Sequence, residues 1–286
     1  MGFLSGFTAH LPTNSDIDKL VGMRMQWVRM DFSWAQIEFE RGKFKWEPWD
    51  KSVGYAVSNG LKVYATLGKT PSWCGDYPNG VPDIFEWQCF VEEISNRYMD
   101  KISVYSLWNE PNLSQFWAGS MGQYIDRILV PSSHILIGKG LLVAAPDLST
   151  HGKSWVKWLK ELVNHQSHYD ILSIHVYEDS VHEIEASFSR GRHGILQYLY
   201  EPWKPYNNWL KNIEKPIWLT EVGWRSDLIG INDQASRYLQ LMCNGVPSAD
   251  NIIAYELRDD PDVVEKWGVL NSNWSDKPAA MIIANG

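Results

Sequence analysis

The heptapeptide SLWNEPN, residues 106–112, closes a β-rich apolar run on Trp108-Asn109-Glu110 and stops at Pro111. An amide and a carboxylate at a strand tip add little to a core, but they present an acid to a ligand. Working outward from it, short β-rich runs recur at 3–9, 25–30, 62–67, 103–107, 141–145, 171–175, 216–220 and 251–255. Helical patterns lie between them. Trp87, Phe90, Val91, Ile94 and Tyr98 share one helical face; Trp155, Trp158, Leu159, Leu162 and Val163 share another, behind Ser154 as a candidate cap. Strands alternating with helices predict βα units and a parallel sheet. Eight such units predict an α/β fold, a (β/α)8 TIM barrel, with residues 1–286 as a single domain. Gly138-Lys139-Gly140 precedes a run instead of following one, so it reads as a turn and not as a phosphate loop.

Composition narrows the function classes. With 44% hydrophobic and 21% charged residues, the chain has ample material for a globular core. A formal net charge of −8 argues against nucleic acid or an anionic membrane as partner. No run approaches the ~18 apolar residues of a bilayer span. The start, MGFLSGFTAH, lacks the basic and apolar regions of a signal peptide, and Gly6 breaks the myristoylation pattern. A cytoplasmic protein and a secreted one with a trimmed signal both fit. Cys74, Cys89 and Cys243 make no disulfide framework; they read as small hydrophobes, with a Cys74–Cys89 bridge as the alternative.

In a barrel the C-terminal strand ends converge on one mouth. The runs end, in order, on Arg29 and Asp31, on Thr70-Pro71-Ser72-Trp73, on Asn109-Glu110, on Pro146-Asp147, on His175 and Tyr177, on Glu221, and on Glu256. Polar groups that directly continue buried-looking strands describe a pocket floor. Sixteen tryptophans are unusual, and Trp34, Trp73, Trp117 and Trp224 are candidates for flat ligand-binding faces. Glu110 and Glu221 close the fourth and seventh runs, across the mouth from one another. Two facing carboxyls can divide the breaking of an acetal: one protonates the leaving oxygen while the other attacks or stabilises the anomeric carbon. They need opposite protonation states, so a cation must favour one of them. Arg29 is the candidate cation, with a salt bridge to Asp31 as its structural alternative.

WNEPN together with LTEVGW resembles the clan A retaining glycoside hydrolases, which carry the acid/base on strand four and the nucleophile on strand seven. Further likeness lies in Trp27-Val28-Arg29, in residues 67–73 and in His175-Val176-Tyr177. The tail, YELRDD at 255–260 with Trp267-Gly268 and Lys277-Pro278-Ala279, is similar to the family 39-like β-xylosidase and exopolysaccharide-hydrolase branch. The resemblance implies Glu110 as acid/base and Glu221 as nucleophile, with Asn109 on the substrate 2-hydroxyl. It implies that Arg29 keeps Glu221 ionised and that His175 and Tyr177 orient the nucleophile and the sugar. Glu256 joins the candidate binding residues, although the clan commonly has Trp at that strand end and xylosidase relatives carry an extra β-sandwich.

The expected activity is retaining hydrolysis of a β-linked oligo- or polysaccharide, endo-acting, through a covalent glycosyl-enzyme, with the carboxyls about 5–5.5 Å apart. An exo-glycosidase and a non-catalytic carbohydrate-binding barrel are the alternatives, and transglycosylation fits the same residues. No cofactor or metal is implied: His165-x-x-His168 lacks companion zinc ligands, and Asp16-x-Asp18 lacks the glycine and distal Glu of a calcium loop. Asn112-Leu113-Ser114 and Asn273-Trp274-Ser275 are formal glycosylation sequons; a glycan on the first would block the cleft, so it reads as a chance match.

Overall fold

Eight strands follow the eight runs: β1 (Leu4–Thr8), β2 (Trp27–Ser33), β3 (Lys62–Gly68), β4 (Ile102–Leu107), β5 (Val143–Ser149), β6 (Ile171–His175), β7 (Ile217–Glu221) and β8 (Asn251–Ala254). In this computed structural model, which describes residues 2–151, 154–189 and 215–286, they pair in parallel and in sequence order. β8 returns to β1 and closes the barrel. Closure leaves no free sheet edge.

The pleat sorts each strand into an outward and an inward face. Outward residues such as Val28, Met30, Phe32, Val63, Leu67, Tyr105 and Leu107 join the core beneath the surrounding helices. These include Asn14–Gly22, Glu47–Ser58, Ile84–Arg97, Val130–Gly138, Trp155–Asn164 and Ile231–Asn244. Inward residues stack in tiers. Trp27, Tyr64, Val104, Ala144, Ile171 and Ile253, with Trp218 against them, form a separate apolar plug. Two residues further along, Arg29, Thr66, Ser106, Ser173 and Thr220 form a buried polar tier. Another two bring Asp31, Gly68, Trp108 and His175 to the mouth.

The pairing shifts register in four places: between Leu4 and Gly6 on β1, between Val63 and Tyr64 on β3, and in two places nearer the mouth that break this stepping of two. The β5–β6 register shifts between Ala145 and Leu148, and the β6–β7 register shifts so that His175 pairs with Glu221 where Ile174 pairs with Leu219. Each adds one residue to a strand, on β5 before Leu148 and on β7 at Thr220. An added residue re-aims the side chains that follow it. Asp147 thereby enters the polar tier, and both Thr220 and Glu221 face inward.

Helix ends follow local chemistry. Asn14–Gly22 starts at Thr13, whose hydroxyl accepts from the Asp16 amide while the Asp16 carboxylate accepts from the Thr13 amide. This capping box accounts for Asp16 in the Asp16-x-Asp18 pattern, while Asp18 accepts from the Tyr55 hydroxyl at 2.8 Å. Trp155–Asn164 begins after Ser154, as expected, but the Ser154 hydroxyl donates to the Asn112 carbonyl and does not cap its own helix. All three cysteines are free, so the Cys74–Cys89 bridge is not formed.

Candidate active site

The chain reaches Glu110 through an unusual backbone. Trp108 has φ +78° and Glu110 φ +42°, left-handed values that few side chains tolerate. Pro111 disfavours a helical continuation. The Glu110 amide instead donates to the Asp147 carbonyl at 2.8 Å, and Asn109 bridges to Asp147, which carries the β4–β5 ladder past the strand ends. Asn112 ties the same two segments: its amide nitrogen donates to the Ser149 carbonyl at 2.8 Å, and its side-chain oxygen accepts from the Ser149 amide at 3.1 Å. The indole of Trp108 lies over Gly68, its ring 3.5 Å from where a β-carbon would stand, an ordinary contact distance.

Glu110 and Glu221 meet across the mouth, each about 7% exposed. One oxygen of each and a ring nitrogen of His175 lie within 4.8 Å of one another. Arg29 is sealed from solvent and donates to Glu221 Oε1 at 2.7 Å, to Asp147 Oδ2 at 2.8 Å and to Asn109 Oδ1 at 2.7 Å. Its structural alternative, a salt bridge to Asp31, does not form; Asp31 pairs with His10 at 2.9 Å. The Tyr177 hydroxyl donates to Glu221 Oε2. His175 Nδ1 donates to Glu110 Oε1 at 2.8 Å and lies 3.3 Å from Glu221 Oε2.

Below the pair, Asp147 has no solvent contact. Its oxygens accept from Arg29, Tyr64, Thr66, Ser173 and Thr220. Burial acts to raise its pKa, but Arg29, His175 and the Ser173 and Tyr64 hydroxyls outweigh that, and the carboxyl is held far below its ordinary value. Glu221 behaves differently. Burial raises it above the usual glutamate value; His175 and Arg29 oppose this, Glu110 adds to it, and the Tyr177 hydroxyl opposes it in turn. Burial acts to lower His175, yet the two glutamates draw its pKa upward. Arg29 thus moderates the effect of burial on Glu221 without reversing it. Glu110, His175 and Glu221 are also the described residues grouped closely enough to hold a metal ion. The Glu221 oxygens are bonded to Arg29 and Tyr177, and His175 Nδ1 is bonded to Glu110.

A cavity of about 380 Å³ opens above the carboxylates, lined by Arg29, Asn109, Glu110, Tyr177 and Glu221. The tryptophan expectations fare otherwise. Trp34 is fully buried against Trp73, Trp87 and Phe90, and Trp117 is buried against Trp108 and Tyr124. Trp224 is buried against Tyr238. The indole N–H groups of Trp34, Trp73, Trp117 and Trp224 donate to Glu38 Oε2, the Glu38 carbonyl, the Ser120 carbonyl and the Glu178 carbonyl. None of the four lines this cavity; they pack the loops that shape it. Its aromatic lining comes from Phe32, Trp108, Phe116, Tyr177, Tyr255 and Trp267. Of these, Trp108 stood within the quoted motif and Trp267 within the tail, while Phe116 had no periodic signal. Glu256 lies outside this cavity, buried and bonded to His10 Nε2 at 3.1 Å.

Comparison with known structures returns the same architecture. A family 39 glycoside hydrolase from Bacteroides cellulosilyticus WH2 aligns with 98% of this chain at 17% identity and a TM-score of 0.69; this chain spans 62% of its length. A GH5_18 variant from Streptomyces cattleya, in complex with Manβ1-4GlcNAc, aligns at 14% identity and a TM-score of 0.72, covering all of this chain and 80% of that one. Xylanase 10B from Thermotoga petrophila RKU-1, in complex with xylobiose, aligns at 13% identity and a TM-score of 0.64, covering 99% and 93%. At such identities the likeness is one of fold. No curated protein matches the sequence. The family model described as Cellulase (glycosyl hydrolase family 5) matches residues 3–255, nearly the whole barrel. The chain therefore belongs to the cellulase family, glycosyl hydrolase family 5, within clan A.

Proposed function

We propose that the protein hydrolyses β-glycosidic bonds within an oligo- or polysaccharide with retention of configuration. The observation that carries this reading is the meeting of Glu110 and Glu221 within 4.8 Å, each with a different set of partners. That approach fits the about 5–5.5 Å between carboxyl groups of retaining enzymes better than the about 6.5–9.5 Å of inverting ones. Glu221 has both oxygens engaged by donors, Arg29 and Tyr177, which suits the ionised nucleophile. Glu110 accepts from His175 alone among side chains and faces the cavity, which suits the acid.

In the first step Glu110 gives its proton to the glycosidic oxygen while Glu221 attacks the anomeric carbon, and the leaving sugar departs with that proton. In the second step Glu110 takes a proton from water, whose oxygen displaces Glu221 from the anomeric carbon. Asn109, whose side-chain oxygen is held by Arg29, has its amide nitrogen left to donate to the 2-hydroxyl. His175 and Tyr177 orient the two carboxylates. Two of the structural neighbours hold disaccharides, which supports an oligosaccharide as the class of ligand. The tail's likeness to the family 39-like branch belongs with this proposal and points to the exo-acting alternative.

The experiment is a screen of the purified protein, Glu110→Gln and Glu221→Gln on β-linked xylans, glucans and mannans and their aryl glycosides, followed by product sizing. We expect Glu221→Gln to lose at least about a thousandfold in kcat on every substrate at little cost in folding. Glu110→Gln should lose most on natural substrates and least on aryl glycosides whose leaving group needs no proton. Activity of Glu221→Gln within about tenfold of wild type would remove it as nucleophile. Oligomeric products mean endo action; monosaccharide alone means exo action. Silence of the wild type, with polysaccharide binding intact, supports the non-catalytic barrel.

A further inference from the structure

The pattern His165-x-x-His168 has no part in the site above. Spacing along the chain gives this pair no third ligand, but the fold does. His165 follows the helix Trp155–Asn164, and His168 ends the short 3-10 turn Gln166–His168 that leads into β6. His134, on the helix Val130–Gly138, stands with its ring centroid 5.5 Å from that of His168, and the His165 ring lies 6.2 Å from His168. We propose that His134, His165 and His168 form a binding site for a divalent transition metal of the zinc and copper class. The turn precedes β6, so the site lies toward the end of the barrel where the strands begin, away from Glu110 and Glu221. It does not depend on the hydrolase reading.

The hydrogen bonds of the two turn histidines prepare them as ligands. The Ser133 hydroxyl gives its one proton to the Val130 carbonyl at 2.8 Å, so its oxygen accepts from His168 Nδ1 at 2.9 Å. His165 Nδ1 lies 2.9 Å from the Glu161 carbonyl, which can only accept. In their neutral form both imidazoles therefore carry the proton on Nδ1 and offer the lone pair of Nε2. Metal-ligating histidines are held in this way: one ring nitrogen donates to an oxygen that fixes tautomer and orientation, and the other binds. Neither of these Nε2 atoms, nor either nitrogen of His134, has a hydrogen-bond partner among the described residues.

The spacing is close to what a shared ion needs. Two imidazoles on one zinc at ~2.0–2.1 Å have ring centroids about 5 Å apart. The donor nitrogens do not yet converge as those of Glu110, His175 and Glu221 do, within 4.8 Å. His134 is exposed, so its ring can turn toward the other two. Charge favours the histidines over the catalytic group. Beside Glu221 the Arg29 guanidinium, at 2.7 Å, repels a cation, whereas Glu161 Oε1 stands 3.8 Å from His165 Nδ1 and attracts one. Three imidazoles with water in the fourth position are a zinc ligand set. Imidazole suits zinc, copper and nickel, while magnesium prefers oxygen ligands. A metal held here would tie the helix Val130–Gly138 to the turn before β6 and so stabilise the folded chain.

The test strips the full chain of metal with a chelator and titrates it with Zn²⁺, Cu²⁺ and Mg²⁺ by calorimetry, following Tm with each. We expect one Zn²⁺ or Cu²⁺ per chain, a Tm that rises with added zinc, and no response to Mg²⁺. His134→Ala and His168→Ala should each weaken zinc affinity by about tenfold or more and remove the rise in Tm. His134 is exposed, so its substitution leaves the core intact. Pulsed electron paramagnetic resonance of bound Cu²⁺ counts the imidazoles directly: three support the site, fewer overturn it. No binding of Zn²⁺, or an affinity that His134→Ala leaves unchanged, would also overturn it. So would binding that is lost in Glu221→Gln and kept in His134→Ala, which would place the metal between the catalytic carboxylates.

Discussion

Asp147 lies sealed beneath Glu110 and Glu221, and what it holds there decides how Arg29 meets Glu221. Three hydroxyls converge on its Oδ1, while Arg29 and Thr66 reach Oδ2. A buried guanidinium with one carboxylate partner removed costs about 3–5 kcal/mol. Asp147→Asn should therefore lower unfolding free energy by about that amount, read by urea denaturation. It should also let Arg29 shift, so that kcat falls about tenfold or more while KM moves little. A stability loss with unchanged kcat would make Asp147 a purely structural anchor. The sequence makes Asp147 visible as a polar strand end but cannot give it this centrality. Five donors from four strands meet on it only because the barrel closes. The same holds for His10, which lies early in the chain and whose partners lie 21 and 246 residues away. Glu110 and Glu221 were legible because a carboxylate at an abrupt strand end is a local pattern.

At the scale of elements, all eight apolar runs became strands, and two of them continue by more than one residue past the run that announced them. β2 runs on through Asp31 to Ser33, and β5 through Pro146 and Asp147 to Ser149. Polar residues ended the hydrophobic pattern there, but inside a barrel they point at one another and the ladder goes on. The extra residues that turn Asp147 and Glu221 inward leave no trace in composition, because a register shift is a relation between two strands. The tryptophans misled for a similar reason: an indole beside polar neighbours is as well placed to pack beneath a loop as to line a cleft. Trp34 begins the short helix Trp34–Ile37 at the end of β2 and fills the space between Trp73, Trp87 and Phe90. Trp34→Ala should cost about 3–5 kcal/mol of stability through the cavity it leaves. A shift in the denaturant midpoint is the readout. A change of substrate preference with the midpoint unmoved would restore Trp34 to the binding surface.

For the whole molecule, the charges around the mouth set how stability varies with pH. His10 is half-exposed on its side chain, yet Asp31 and Glu256 outweigh the burial that would lower it and raise its pKa from 6.5 to about 10. A group raised in the folded state stabilises fully below its unfolded pKa and loses that contribution as pH climbs to the folded one. The His10 contribution should thus be complete below pH 6.5 and fade toward about pH 10. Asp31, pulled from 3.8 to about 2, contributes above its unfolded value and loses that contribution as pH falls through about 2. Melting temperatures of wild type and His10→Gln should converge as pH rises across the alkaline window. A constant gap would mean that His10 acts by packing and not by charge.

The tie between Asn112 and Ser149 bears on how the protein should be made. In a eukaryotic secretory host, Asn112-Leu113-Ser114 is open to oligosaccharyl transfer on the nascent chain, before the fold protects it. Once glycosylated, the Asn112 amide nitrogen could no longer approach the Ser149 carbonyl as it does at 2.8 Å, and the loop bearing Glu110 would lose one of its ties to β5. Asn273 is exposed, and only its side-chain oxygen is engaged, by Ser275. Active material from such a host should carry sugar at Asn273 and none at Asn112, as peptide mass mapping would show. Ser114→Ala, which removes the first sequon and leaves Asn112 in place, should raise the yield of active protein there and leave the yield from a bacterial cytoplasm unchanged.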